Sequence, residues 1–123
     1  MKPIALNAGR GRTKVSLSAQ WMGNDLIVCL FNDQGHLGAV AVADFCHAEN
    51  RASTSVITRL GHKDDAVASN AAHTICREFK KPVCAIAGIH VDHIAEQEIA
   101  DILHNCDVLV EKLMKLIVDQ ADS

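Results

Sequence analysis

A chain of 123 residues, 49% of them hydrophobic, is long enough to build one globular core and too short for two. Its net charge of −3, its scattered lysines and arginines, and a total of one tryptophan and three phenylalanines leave no basic stripe and no stacking platform, which excludes nucleic acid as a partner. No stretch is apolar for long enough to span a bilayer, and residues 1–7 lack the apolar core of a signal peptide, so a cytoplasmic protein without membrane contact is predicted.

Residues 1–11 and 119–123 read as loose ends of a single domain, 1–123, whose core spans about 13–118. Residues 13–21 alternate, with Val15, Leu17, Ala19 and Trp21 on one side and Lys14, Ser16, Ser18 and Gln20 on the other, which predicts a half-buried strand. The turn formers Gly23-Asn24-Asp25 join it to an apolar run over 26–31, giving an antiparallel hairpin. After a second turn at Asn32-Asp33-Gln34-Gly35 comes a strand over 37–43. Its Ala39, Ala41 and Ala43 make one face nearly flat, and a packed helix is the expected neighbour of that face. Residues 44–51 are polar and read as a loop, whereas 53–60 are β-branched and strand-like.

Val67, Ala71, Ile75 and Phe79 recur at helical spacing and predict an amphipathic helix over about 64–80, stopped by Lys81-Pro82. Residues 83–89 are apolar on both faces, as in a central strand covered on each side. A last helix over about 95–118 begins with Glu96 and Glu98, where negative charge suits the macrodipole. Its apolar stripe, running from Ile99 to Val118, is wider than one sheet face needs, so part of it is expected against another subunit, most simply in a homodimer. The order β-β-β-β-α-β-α is an α+β fold with a largely antiparallel sheet and one crossover around the first helix. The five cysteines are odd in number and form no C-x-x-C pair, so they read as buried hydrophobes in a reducing compartment.

Chemistry is concentrated in Leu60-Gly61-His62-Lys63-Asp64-Asp65 and Ala87-Gly88-Ile89-His90-Val91-Asp92, each standing where a strand gives way to a helix. Ligands of open α/β sheets bind beyond strand ends, where helix N-termini offer free amides. The hydroxyls of Ser53, Thr54 and Ser55, the Gly61-His62 junction and the Lys63 charge form a candidate phosphate cradle. The plainer reading is a helix-start carboxylate beside a solvated lysine, since neither a P-loop nor a G-x-G-x-x-G motif is present. His62 and His90 are able to face one crevice and to hydrogen-bond or exchange protons with a ligand there. With Asp92 they also suit a small acid/base or metal-dependent enzyme, although no helical metal motif backs His90 and His93 and no metal is assigned. His36, His47, His73 and His104 read as turn or surface histidines, and Cys46 beside His47 points away from it, so no catalytic residue is assigned.

Taken in order, Gly38-Ala39-Val40-Ala41-Val42-Ala43, Ser53-Thr54-Ser55-Val56, Gly61-His62-Lys63-Asp64-Asp65 and Ala87-Gly88-Ile89-His90-Val91-Asp92 resemble the prenylated-flavin chaperone family over about residues 13–117. The resemblance implies a non-catalytic carrier of reduced prenylated FMN that serves a UbiD-type decarboxylase, with a flavin prenyltransferase as a further candidate partner. It also implies a homodimer with a fold like the proteasome assembly chaperones, and flavin contacts at Ser53, Thr54, Ser55, Gly61, His62, Lys63, Gly88 and His90. The chain departs from the family where a Thr or Ser cap of the last helix is expected, having His93-Ile94-Ala95 instead. A protein-assembly chaperone that binds no cofactor is the remaining alternative.

Overall fold

The computed structural model describes residues 2–60 and 64–121, with backbone alone for 120 and 121. Its elements are β1 (Ile4–Ala8), a 3-10 turn (Gly11–Thr13), β2 (Val15–Met22), β3 (Asp25–Phe31), β4 (Ala39–Cys46), β5 (Arg51–Thr58), α1 (Asp65–Phe79), β6 (Val83–Gly88) and α2 (Glu96–Ala121). Six strands form one open sheet in the order β1-β2-β3-β6-β4-β5. Four neighbouring pairs are antiparallel, and only β3 and β6 run parallel, from Leu26 opposite Val83 to Phe31 opposite Gly88. The fold is therefore α+β and mostly antiparallel, as the element order implied.

Three expectations about element bounds need correction. Residues 4–8, assigned to a loose N-terminal end, pair with β2 as an edge strand that buries Ile4, and α2 runs past 118 to Ala121. Residues 44–46, read as loop, continue β4, and the chain turns only at 47–50, where Asn50 takes a positive φ of 53°. The polar Asp44 misled because it stands on a face that has nothing over it.

The core lies on one side of the sheet. α1 packs across β4, β5 and β6, while α2 lies over β1, β2 and the 3-10 turn. Ala39, Ala41 and Ala43 are fully buried, as are Ala68, Ala71 and Ala72 of α1, so a helix does occupy the flat alanine face. Small side chains on both partners let the helix approach the strand closely. Leu109, Leu113 and Ile117 of α2 meet Val15, Leu17, Leu26, Val28 and Leu30 in the same core. α1 ends where Lys80 adopts a left-handed conformation and its N–H reaches the Cys76 carbonyl at 2.7 Å, a local stop reinforced by Pro82.

Among the described residues the opposite side of the sheet carries no helix. Ile27, Cys29 and Phe31 of β3, Cys84 and Ile86 of β6, Val40 and Val42 of β4, and Ile57 of β5 share that side by register and are half-buried or exposed. β6 is thus central but covered on one face only within the chain, which corrects the expectation of cover on both.

Candidate functional site

Parallel pairing of β3 and β6 brings their C-terminal ends together at one edge of the sheet, where the 32–38 and 89–95 loops begin. Asn32, the first residue after β3, ties the loops to each other. Its Nδ2 donates to the His90 carbonyl at 2.8 Å, and its Oδ1 accepts the His90 N–H at 3.1 Å. The 32–38 loop then crosses the end of β6 to reach β4. At that crossing a Cβ on Gly88 would lie 2.8 Å from the His36 carbonyl carbon, and one on Gly35 would lie 2.8 Å from the Gly88 carbonyl carbon. Two backbones cannot pass this closely with side chains between them. The crossing delivers the His36 ring edge-on to the His90 ring, with centroids 5.9 Å apart.

Beneath the crossing is a buried carboxylate. Asp64, which precedes α1, does not cap that helix with its side chain; its Oδ1 accepts the Ile89 N–H at 3.2 Å instead. Gly38 permits this, because a Cβ there would stand 2.7 Å from Asp64 Cγ. His90 Nε2 pairs with Asp92 Oδ1 at 2.8 Å, both side chains being half or more exposed.

Farther along, Arg12 latches the entry to α2. Its Nε donates to Glu98 Oε2 at 2.7 Å and its Nη2 to the Asp92 carbonyl at 2.7 Å. Glu98 also accepts the Ala95 N–H at 3.1 Å, which is half of a capping box supplied by the third helical residue when Ala95 itself has no capping group. The hydrogen bond from Arg12 and that from the Ala95 amide hold the Glu98 carboxyl below its ordinary range, and Glu98 in turn raises the Arg12 guanidinium.

Between the 3-10 turn, the start of β2 and these loops lies a hollow of about 340 Å³, lined among others by Arg12, Lys14, Ser16, Asn32, His90 and Asp92. That volume sits at the lower end of the range for small-molecule sites, roughly 300–1,000 Å³. Lys14 makes no ion pair among the described residues, whereas Arg12 is engaged by Glu98 and Asp92 by His90. Asp33 also lines the hollow, so its fixed charges nearly balance. A larger groove of about 500 Å³ between α1 and α2 is apolar, with Phe79, Met114 and Val118 in its lining, and lies away from the histidines.

A family model for the prenylated flavin chaperone LpdD-like domain matches residues 9–118. The chain belongs to this family. Its match covers β2 through nearly all of α2 and includes both glycine-histidine segments. No curated protein matches the chain. Among solved structures it is similar to a chain described as part of a novel chaperone complex for yeast 20S proteasome assembly. The TM-score is 0.61 at 15% identity, over 96% of this chain and 95% of the other. At that identity the likeness concerns the fold, which is that of a proteasome assembly chaperone.

Of the flavin contacts that the prenylated flavin chaperone resemblance implied, the structure brings Gly88 and His90 to the loop crossing. Gly61, His62 and Lys63 lie outside the described residues. Thr54 faces α1, where its hydroxyl is 2.8 Å from His73 Nδ1, so His73 is a half-buried partner and not a surface histidine. Ser53 and Ser55 project from the other face of β5. Ser55 lies in the row of Val42 and Cys84, four residues short of Gly88 along β6, or roughly 13 Å at the rise of a strand. These three residues are not gathered with His90. Alternation carried the signal: Ala52, Thr54 and Val56 share one parity, Ser53, Ser55 and Ile57 the other.

Sequence reasoning also passed over Arg12, Lys14, Asn32 and His36. Asn32 was readable only as a turn residue, because its partner His90 is 58 positions away. Among the described residues no three His, Cys, Asp or Glu side chains converge as a metal set. Nor is any helix among the described residues long and apolar enough to cross a membrane.

Proposed function

We propose that this chain is a non-catalytic carrier that binds reduced prenylated FMN and passes it to a UbiD-type decarboxylase in the cytoplasm, receiving it from a flavin prenyltransferase. Membership of the prenylated flavin chaperone family carries this reading. The hollow beside His90 supports it, since it lies at the C-terminal ends of a parallel strand pair, the usual ligand position in sheets that contain one. The imidazoles of His90 and His36 offer hydrogen-bond partners to the polar edge of the ring. The lining's balanced charge leaves little for a phosphate beyond Lys14, so Lys63, which directly precedes Asp64 in the chain, is proposed as the second cation, with the adjacent Gly61 and His62 of the sequence. Ser53, Thr54 and Ser55 have no part in this reading because of where β5 puts them.

Anaerobic titration with the reduced cofactor tests the proposal. His90→Ala and Lys63→Ala are each expected to raise the dissociation constant about 10- to 100-fold, the scale of a hydrogen bond to a charged group. Wild-type affinity in both variants would overturn the site. The His90–Asp92 pair is what favours the enzyme alternative, and turnover of an aromatic acid by the isolated chain would establish it.

The open side of the sheet is the proposed homodimer face. Six strands at ~4.8 Å spacing and about six residues at ~3.4 Å rise give a flat area roughly 25 by 20 Å, about 500 Å² before side-chain relief is counted, somewhat below a standard interface of about 800 Å² per partner. Its middle is apolar, including Val40, Val42, Ile57 and Ile86. Ile99, Leu103 and Val118 of α2 are also exposed and share one side of the helix, but as a stripe narrower than the sheet face. Sedimentation equilibrium separates the two surfaces: Val42→Lys should yield monomer and Leu103→Lys should not, and the reverse outcome would move the interface to α2.

A further inference from the structure

We infer that Asn32 is a positioning residue whose carboxamide sets the His90 imidazole beside the hollow, so that cargo affinity depends on Asn32 through His90. The inference rests on the carrier reading for its ligand but on geometry alone for the positioning. The backbone pairing of β3 with β6 ends at Phe31 opposite Gly88. His90 lies two residues beyond that point, where no strand partner remains. Asn32 supplies one from its side chain, donating to the His90 carbonyl at 2.8 Å and accepting the His90 N–H at 3.1 Å. These two bonds imitate one more step of the ladder, and they fix which end of the amide is nitrogen and which oxygen.

Only asparagine meets both demands at this reach. Aspartate would accept from the N–H but set a second oxygen against the His90 carbonyl, serine would satisfy one group, and alanine neither. The imidazole is held from two further directions, by Asp92 Oδ1 on its Nε2 at 2.8 Å and by the His36 ring edge-on at 5.9 Å. Gly35, whose missing side chain leaves room for both Asn32 Oδ1 and Gly88, keeps His36 in that position. With backbone and ring both constrained, His90 meets a ligand without first losing rotational freedom, and such preorganisation strengthens binding.

The test uses the full chain with Asn32→Ala, Asn32→Asp, His90→Ala and the double variant of Asn32→Ala with His90→Ala. Two-dimensional NMR of the imidazole protons, without ligand, should show the His90 resonances displaced in Asn32→Ala as the His36 ring contact is lost. In Asn32→Asp the second oxygen set against the His90 carbonyl should displace the same resonances. Anaerobic titration with reduced prenylated FMN should show about a tenfold weaker complex for Asn32→Ala, and no additional loss from that change in the His90→Ala background. Unmoved His90 resonances in Asn32→Ala, or full additivity of the two changes, would overturn the inference. Normal binding by His90→Ala would instead sink the site reading while the NMR result still decided the positioning. Should Asn32→Ala not fold, Asn32→Asp carries the same comparison with nearly unchanged shape.

Discussion

Replacing Gly38 with alanine probes the support beneath the candidate site. An added Cβ would stand 2.7 Å from Asp64 Cγ and 3.0 Å from Asp64 Cβ, whereas carbon atoms in good contact sit about 3.5–4.0 Å apart. The glycine cannot retreat. Its N–H donates to the Ala87 carbonyl at 2.9 Å and its carbonyl accepts the Arg59 N–H at 2.8 Å, so it is pinned between β6 and the end of β5. Relief must come from Asp64, and a shift of roughly 1 Å there breaks its bond to the Ile89 N–H. Overpacking costs about 1–3 kcal/mol, and loss of a hydrogen bond to a buried carboxylate about 1.5–3 kcal/mol. The sum is about 2.5–6 kcal/mol, a drop in Tm of roughly 10–25 °C for a chain of this size.

Denaturant unfolding of Gly38→Ala, Asp64→Ala and the double variant measures both the cost and its origin. With the carboxylate gone only Asp64 Cβ, at 3.0 Å, still crowds the added methyl, so the double variant should lose far less relative to Asp64→Ala than Gly38→Ala loses relative to wild type, a coupling that recovers most of the cost of Gly38→Ala. A Gly38→Ala protein within about 1 kcal/mol of wild type, or additive losses, would refute the steric account.

Other consequences are directly measurable. Burial pushes the Cys106 thiol up to about 12 and raises Cys76 as well, so maleimide labelling of the native protein should modify the exposed Cys46 and leave Cys76 and Cys106 intact until unfolding. Because Glu98 is held below its ordinary pKa of about 4.3, the Arg12 latch contributes fully above that pH and is lost as pH falls through the lowered value. NMR titration of the Glu98 carboxyl carbon should show its midpoint rise in Arg12→Ala, with the Ala95 amide losing its bonded shift at the same pH. Ala41→Leu should destabilise by about 1–3 kcal/mol in denaturant unfolding, since α1 lies directly on β4 there and Ala41 is fully buried.

The elements legible in the chain were those with a face to bury. Val15, Leu17 and Ala19 alternate because one side of β2 is core, and Val67 to Phe79 recur because α1 has a single apolar stripe. β1 was invisible, as five residues between Pro3 and Gly9 bury only Ile4 well and hold no pattern. The family was readable from the glycine-histidine segments, and the model match over 9–118 agrees. The site was readable in part: His90 stands out by its place at a strand end, but its neighbours Asn32 and His36 come from a segment that local rules describe only as a turn.

The glycines around His90 follow from topology. A sheet with one parallel pair inside an otherwise antiparallel order must send the chain leaving β3 past the end of β6 to reach β4, because β6 occupies the position between them. That passage happens in the residues just after both strands end, where the ladder no longer spaces the backbones apart. Gly35 and Gly88 are the two points of contact, and Gly38 is where the crossing segment settles over Asp64 before β4 begins. A larger residue at Gly35 or Gly88 would lift the 32–38 loop off β6, drawing Asn32 and His36 away from His90 together, whereas one at Gly38 would displace Asp64 instead. The parallel pair thus both creates the crevice and dictates the residues that close its floor, which is why the imidazole pair stands at this edge and not at the turns of the antiparallel hairpins.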